Sequence, residues 1–96
     1  IVKYCKQNKL KLIVVTHHCP TFKVINKNYS KDKFASLYAS DLDNIMCKED
    51  INTWIYGHTH SNFDIKMEKG TRLVCNQLGK PRDKINDFSK QCVITV

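Results

Sequence analysis

Four histidines occur in the 96 residues, and each falls just past a stretch that reads as a β-strand. His17 and His18 follow the apolar run Leu10–Thr16, and His58 and His60 follow Asn52–Tyr56 with Gly57 in between. Neutral imidazole is the commonest protein ligand for zinc, iron, manganese and similar metals at catalytic sites. Two residues apart on extended backbone, His58 and His60 are expected to point to one side, toward one metal or two adjacent ones. Gly57 is expected to let the backbone turn sharply beside that metal. A lone histidine at a strand end is ordinarily structural. A G-H-x-H matched by an H-H pair at a second strand end is a candidate metal site.

Positioning these pairs requires two neighbouring strands. Ile1–Gln7 reads as the last turns of a helix with Asn8 as its stop, and Leu10–Thr16 as a β-branched strand covered on both faces. Cys19–Lys33 has no apolar period, contains Pro20, and is long enough for a loop that function is expected there. Leu37, Leu42, Ile45 and Met46 are spaced for a helix over Ala35–Cys47, with Asp41 and Asp43 on its polar face. Asn52–Tyr56 is the second strand. Phe63, Ile65 and Met67 alternate with polar residues, Glu68-Lys69-Gly70 is a turn, and Arg72–Cys75 completes a hairpin. Gln91–Val96 reads as a closing strand. If the first two strands are parallel neighbours, the connection between them brings both histidine pairs to one sheet edge. The fold class is α/β, with function at the carboxyl ends of the strands.

Composition narrows the function classes. With 42% hydrophobic and 26% charged residues the chain is ordinary for a globular domain. No apolar run reaches the roughly 20 residues of a membrane helix, and no signal-peptide pattern is present, so the expected compartment is the cytoplasm and no membrane partner is expected. The net charge of +7 would attract phosphate backbones, but it is carried by dispersed lysines and only two arginines, Arg72 and Arg82. Nucleic acid is therefore not the main expected partner. Lys23, Lys27, Lys31 and Lys33 are read as mainly solvated, with a secondary part in attracting an anionic substrate. Five cysteines, Cys5, Cys19, Cys47, Cys75 and Cys92, form no C-x-x-C pair and read as reduced core thiols. Trp54 and Tyr56 read as packing residues, and Asn76 as a turn residue.

The stretches V-V-T-H-H-C-P at Val14–Pro20 and W-I-Y-G-H-T-H at Trp54–His60 resemble the last two metal motifs of the calcineurin-like metallophosphoesterases. S-L-Y-A-S-D-L at Ser36–Leu42 and G-T-R-L-V-C-N-Q-L-G-K-P at Gly70–Pro81 resemble the surroundings of those motifs. The resemblance implies that residues 1–96 are the C-terminal half of one four-layer α/β/β/α domain, incomplete in this chain. It implies a hydrolase acting on phosphate esters with two divalent metal ions, such as manganese, iron or zinc, in one dinuclear site. His17 and His58 would bind one metal and His60 the other, with His18 beside the metal or the substrate. The family's D-x-H, G-D and G-N-H motifs do not occur here. The expected partners are a phosphate-ester substrate and the missing N-terminal half, so the chain alone is expected to be inactive. No local residue is assigned as catalytic, and Asp41, Asp43 and Asp64 read as solvated or structural. Without that half, the Leu10–Thr16 strand is expected to keep an unpaired edge, giving poor solubility. The competing readings are a small basic metal- or nucleic-acid-binding module and an inactive relic of the family.

Overall fold

A computed structural model describes residues 1–25 and 33–96. Helix α1, Val2–Gln7, ends where expected: Asn8 donates through both its backbone N–H and its side-chain Nδ2 to Tyr4 O, at 3.0 and 2.8 Å. Lys9 then takes a positive φ of 54° and redirects the chain into β1, Leu12–Val15. The remaining elements are helix α2, Asp43–Lys48, and strands β2, Ile51–Ile55, β3, Phe63–Lys66, and β4, Arg72–Cys75. Short 3-10 turns cover Phe22–Val24, Ala35–Leu37 and Pro81–Asp83.

The four strands make one mixed sheet in the order β1-β2-β4-β3. β1 pairs with β2 and β2 with β4 in parallel, while β3 and β4 form the expected antiparallel hairpin. Gly70, at a φ of 99°, makes the hairpin turn that a side chain would strain. The protein is thus a small mixed α/β domain with a four-stranded sheet and few helices. Among the described residues, no helix is long and apolar enough to cross a membrane.

Burial follows strand position. The inner strands are buried on both faces: Thr53 and Trp54 on β2, and Leu73, Val74 and Cys75 on β4, are all closed to solvent. Trp54, Tyr56 and Leu73 pack with Cys19, Val24, Ile25, Ala39 and Met46 in the core. β1 lacks the cover expected on both of its faces. It is an edge strand whose Leu12 and Val14 pack on the core while Ile13 is 41% and Val15 69% exposed. α1 buries none of its residues, so it does not cover that face.

Two other expectations fail for a common reason, competition from longer-range hydrogen bonds. The single helix over Ala35–Cys47 is instead one 3-10 turn followed by α2. Between them the chain runs beside Cys19 and Pro20: Cys19 N donates to Tyr38 O, Ser40 N to Cys19 O and Leu42 N to Pro20 O, at 2.9–3.2 Å. Those bonds take the backbone groups a continuous helix would use. Gln91–Val96 forms no strand. Side chains hold it instead, with Lys11 Nζ donating to Val96 O and Arg72 to Thr95 O. The thiols also divide: Cys19 and Cys75 are core residues, Cys5 is half-buried, and Cys47 and Cys92 are exposed.

Candidate metal and phosphate site

The parallel pairing of β1 with β2 carries past both strands. Thr16 N donates to Ile55 O and Gly57 N to His17 O, each at 3.0 Å, so the two histidine segments leave the sheet side by side. The Thr16 hydroxyl accepts from Trp54 Nε1 at 2.9 Å and donates to His18 O at 2.8 Å. A buried core tryptophan thereby fixes the His17-His18 turn.

Three of the four imidazoles cluster. His17 Nε2 lies 3.0 Å from His58 Nδ1, and the ring centroids of His17, His18 and His58 are 4.7–5.2 Å apart. Tyr38 stands 5.5 Å from the His58 ring. Burial, and then the neighbouring imidazoles of His18, His17 and His60, push the His58 pKa below its ordinary value and favour the neutral form. Two nitrogens on one metal at about 2.0–2.1 Å are separated by roughly 3.0–3.4 Å. The His17–His58 approach therefore matches the bite of a two-nitrogen chelate, as well as a hydrogen bond between neutral rings.

His60 goes elsewhere. Its Nδ1 pairs with Asp83 Oδ2 at 2.8 Å. A carboxylate on Nδ1 fixes the tautomer whose Nε2 carries the lone pair, the arrangement typical of metal-binding histidines. Among the described residues, no three or more His, Cys, Asp or Glu side chains are arranged to hold a metal ion. The chain offers a chelating pair and one oriented imidazole, and the pair fits a metal only with further donors.

The loop geometry corrects the reading of Gly57. The left-handed backbone belongs to His58, at a φ of 70°, and His60, at 50°. Two non-glycine residues in that region cost roughly 1–3 kcal/mol each and persist only when their surroundings hold them. It also corrects the extended H-x-H picture, since His58 meets His17 while His60 meets Asp83. Gln77, just past β4, does the holding: its Oε1 accepts from His60 N, and its Nε2 donates to Thr59 Oγ1 and Ser61 O, each at 2.9 Å. Asn62 Nδ2 bonds both Gln77 O and Asp87 Oδ1 at 3.0 Å.

Sequence reasoning passed over Gln77, Asn62 and Asp83. The polar pair Asn76-Gln77 after a strand parallel to β2 was a usable signal, whereas nothing in the irregular segment singled out Asp83. Asn76 closes a loop by exchanging two hydrogen bonds with Ser89. The weighed carboxylates are engaged away from the histidines: Asp64 forks onto Arg72 with two 2.7 Å bonds, and Asp43 pairs with Lys23 at 2.9 Å. Asp41 is exposed, as is Lys33, and Lys27 and Lys31 lie outside the described residues.

Tyr56 is buried, and among the described residues its hydroxyl faces the thiols of Cys75 and Cys19 without a nitrogen or oxygen partner. Burial, and then the thiols of Cys75 and Cys19, push its pKa far up. Cys19, which adjoins the histidines in sequence, is wholly buried with its thiol on Thr21 O, and burial raises its pKa. It is a packing thiol. Above the loop lies a cleft of about 780 Å3 lined by Ile25, Tyr38, His58, His60, Lys80 and Arg82, among others.

No protein-family model and no solved structure matches the chain. It is 30% identical over 105 aligned residues to an uncharacterized protein of Acanthamoeba polyphaga mimivirus. The match takes in the whole of this chain but spans only 36% of that relative's length. The likeness thus extends across both histidine segments and the Gln77 and Asp83 regions.

Proposed function

We propose that this chain carries the histidine edge of a metal-dependent phosphoester hydrolase of the calcineurin-like type. The observation that carries the reading is the 3.0 Å approach of His17 Nε2 to His58 Nδ1 past the carboxyl ends of adjacent parallel strands. That edge is where open α/β sheets place their ligands. His17 and His58 would share one metal, and His60, oriented by Asp83, would serve a second. A divalent ion there would supply Lewis-acid charge to a phosphoryl oxygen. The chain's own residues do the rest: Trp54 and Thr16 orient the first pair, and Gln77 clamps the second loop.

The carboxylates that bridge and neutralise two metals would come from further polypeptide. The open edge and exposed face of β1 support this, since Val15 and Ile13 present an apolar surface that a second layer of the expected sandwich would cover. The test uses p-nitrophenyl phosphate with manganese. The chain alone should be inactive, and a version extended by its upstream coding sequence should hydrolyse the ester and lose that activity on His58→Asn. An extended protein that binds no metal, or hydrolyses equally well with the substitution, refutes the reading.

A further inference from the structure

We infer that the cleft above the histidine loop is a two-part site for a nucleoside or aryl phosphate, with Lys80 and Arg82 holding the phosphate and Tyr38 and Ile25 flanking the organic group. The ligand class rests on the phosphoester reading, and the assignment of binding residues goes beyond it.

The topology lays out the two parts. β1, β2 and β4 are parallel, so their carboxyl ends share one sheet edge, in that order. The segment after β1 contributes Ile25, and Cys19 holds Tyr38 alongside it through the Cys19 N–Tyr38 O bond. The loop after β2 contributes His58 and His60, and the segment after β4 contributes Lys80 and Arg82. Across the cleft the lining therefore passes from apolar and aromatic, through imidazole, to the Lys80–Asp83 turn, where two cations outnumber one carboxylate. That is the polarity of a phosphate ester whose alcohol is aromatic.

The cationic side is built into the loop. Asp83 Oδ2 accepts from Lys80 N at 2.6 Å as well as pairing with His60 Nδ1, so the Lys80–Asp83 turn is tied to the histidine loop. Gly79 permits the approach. Its φ is 68°, and a Cβ there would meet Ile85 at 2.9 Å and Asp83 Oδ2 at 3.0 Å. Asp83 is occupied by these contacts. Among the described residues, neither Lys80 nor Arg82 makes an ion pair, and both side chains are exposed at the mouth of the cleft. A flexible ammonium beside a planar guanidinium suits a phosphate dianion.

The experiment is calorimetric titration of the 96-residue chain, with chelator present so that no metal chemistry intervenes. The probes are adenosine 5′-monophosphate, ribose 5-phosphate and adenosine. The nucleotide should bind several-fold tighter than either part, as expected when stacking and charge contributions add. Replacing both cations (Lys80→Ala with Arg82→Ala) should weaken it roughly tenfold while leaving adenosine unchanged. Both residues are exposed, so the melting temperature should not move. No nucleotide binding, or binding indifferent to the double substitution, overturns the inference. Binding that behaves as stated, in an extended protein that hydrolyses nothing, sinks the hydrolase reading and leaves the subsite standing. Hydrolysis of p-nitrophenyl phosphate without nucleotide binding does the reverse.

Discussion

The His17–His58 pair makes a quantitative prediction about metal affinity. Four-ligand structural zinc sites reach about 10–16 kcal/mol, or roughly 2.5–4 kcal/mol per ligand. Two imidazoles at chelating separation, with water completing the shell, should then hold zinc at roughly 1–200 μM. Losing either nitrogen should cost two to three orders of magnitude. His17 is exposed, so His17→Ala should leave the fold intact. His58 has left-handed backbone, where asparagine is tolerated better than alanine, so His58→Asn is the appropriate partner. His18→Ala should cost less than tenfold, because its contact to the pair is ring to ring and not through an approaching nitrogen. Calorimetric titration with zinc at pH 7.5, alongside a thermal melt of each variant, reads all three. If folded His17→Ala binds zinc within threefold of the parent chain, the two rings are a hydrogen-bonded pair and not a chelate.

Tyr56→Phe should change stability by no more than about 1 kcal/mol in urea denaturation, because among the described residues the buried hydroxyl faces only the weakly bonding thiols of Cys75 and Cys19; a larger loss of stability would show the hydroxyl to be strongly bonded. Burial of Asp43 acts to raise its pKa, but hydrogen bonds from Thr21 and Lys23, with the Lys23 charge, outweigh it and hold the carboxyl below its usual value. A depressed folded pKa contributes stability above the unfolded value, and that contribution is lost as pH falls through the folded one, here below about pH 4. Asp43→Asn should flatten that part of the stability curve, and an unchanged acid limb would contradict the pairing. Val15→Lys should reduce self-association in sedimentation velocity without lowering the melting temperature, since Val15 is 69% exposed on the edge strand; a parent chain that is already a monodisperse monomer would remove the premise.

The four sheet strands, the hairpin and the two histidine segments at strand ends were legible in the residues alone, while the strand expected at Gln91–Val96 was not formed. β-branched runs such as Ile13–Val15, the alternation of Phe63 and Ile65, and the Gly70 turn are local signals, whereas the parallel pairing of β1 with β2 was a condition that the structure supplies. It could not say where the helix around residues 35–47 breaks, because the bonds from Cys19 and Pro20 that compete for its backbone come from a distant segment. Nor could the sequence reveal that one face of β1 is open, with Ile13 and Val15 exposed, since a strand covered on one face and one covered on both can share the same residues. The different partners of His58 and His60 were likewise decided only in three dimensions. Spacing describes an extended chain, but Gln77 and Asp83, brought in by β4 and the segment after it, bend this loop into left-handed backbone and send the two imidazoles to different partners.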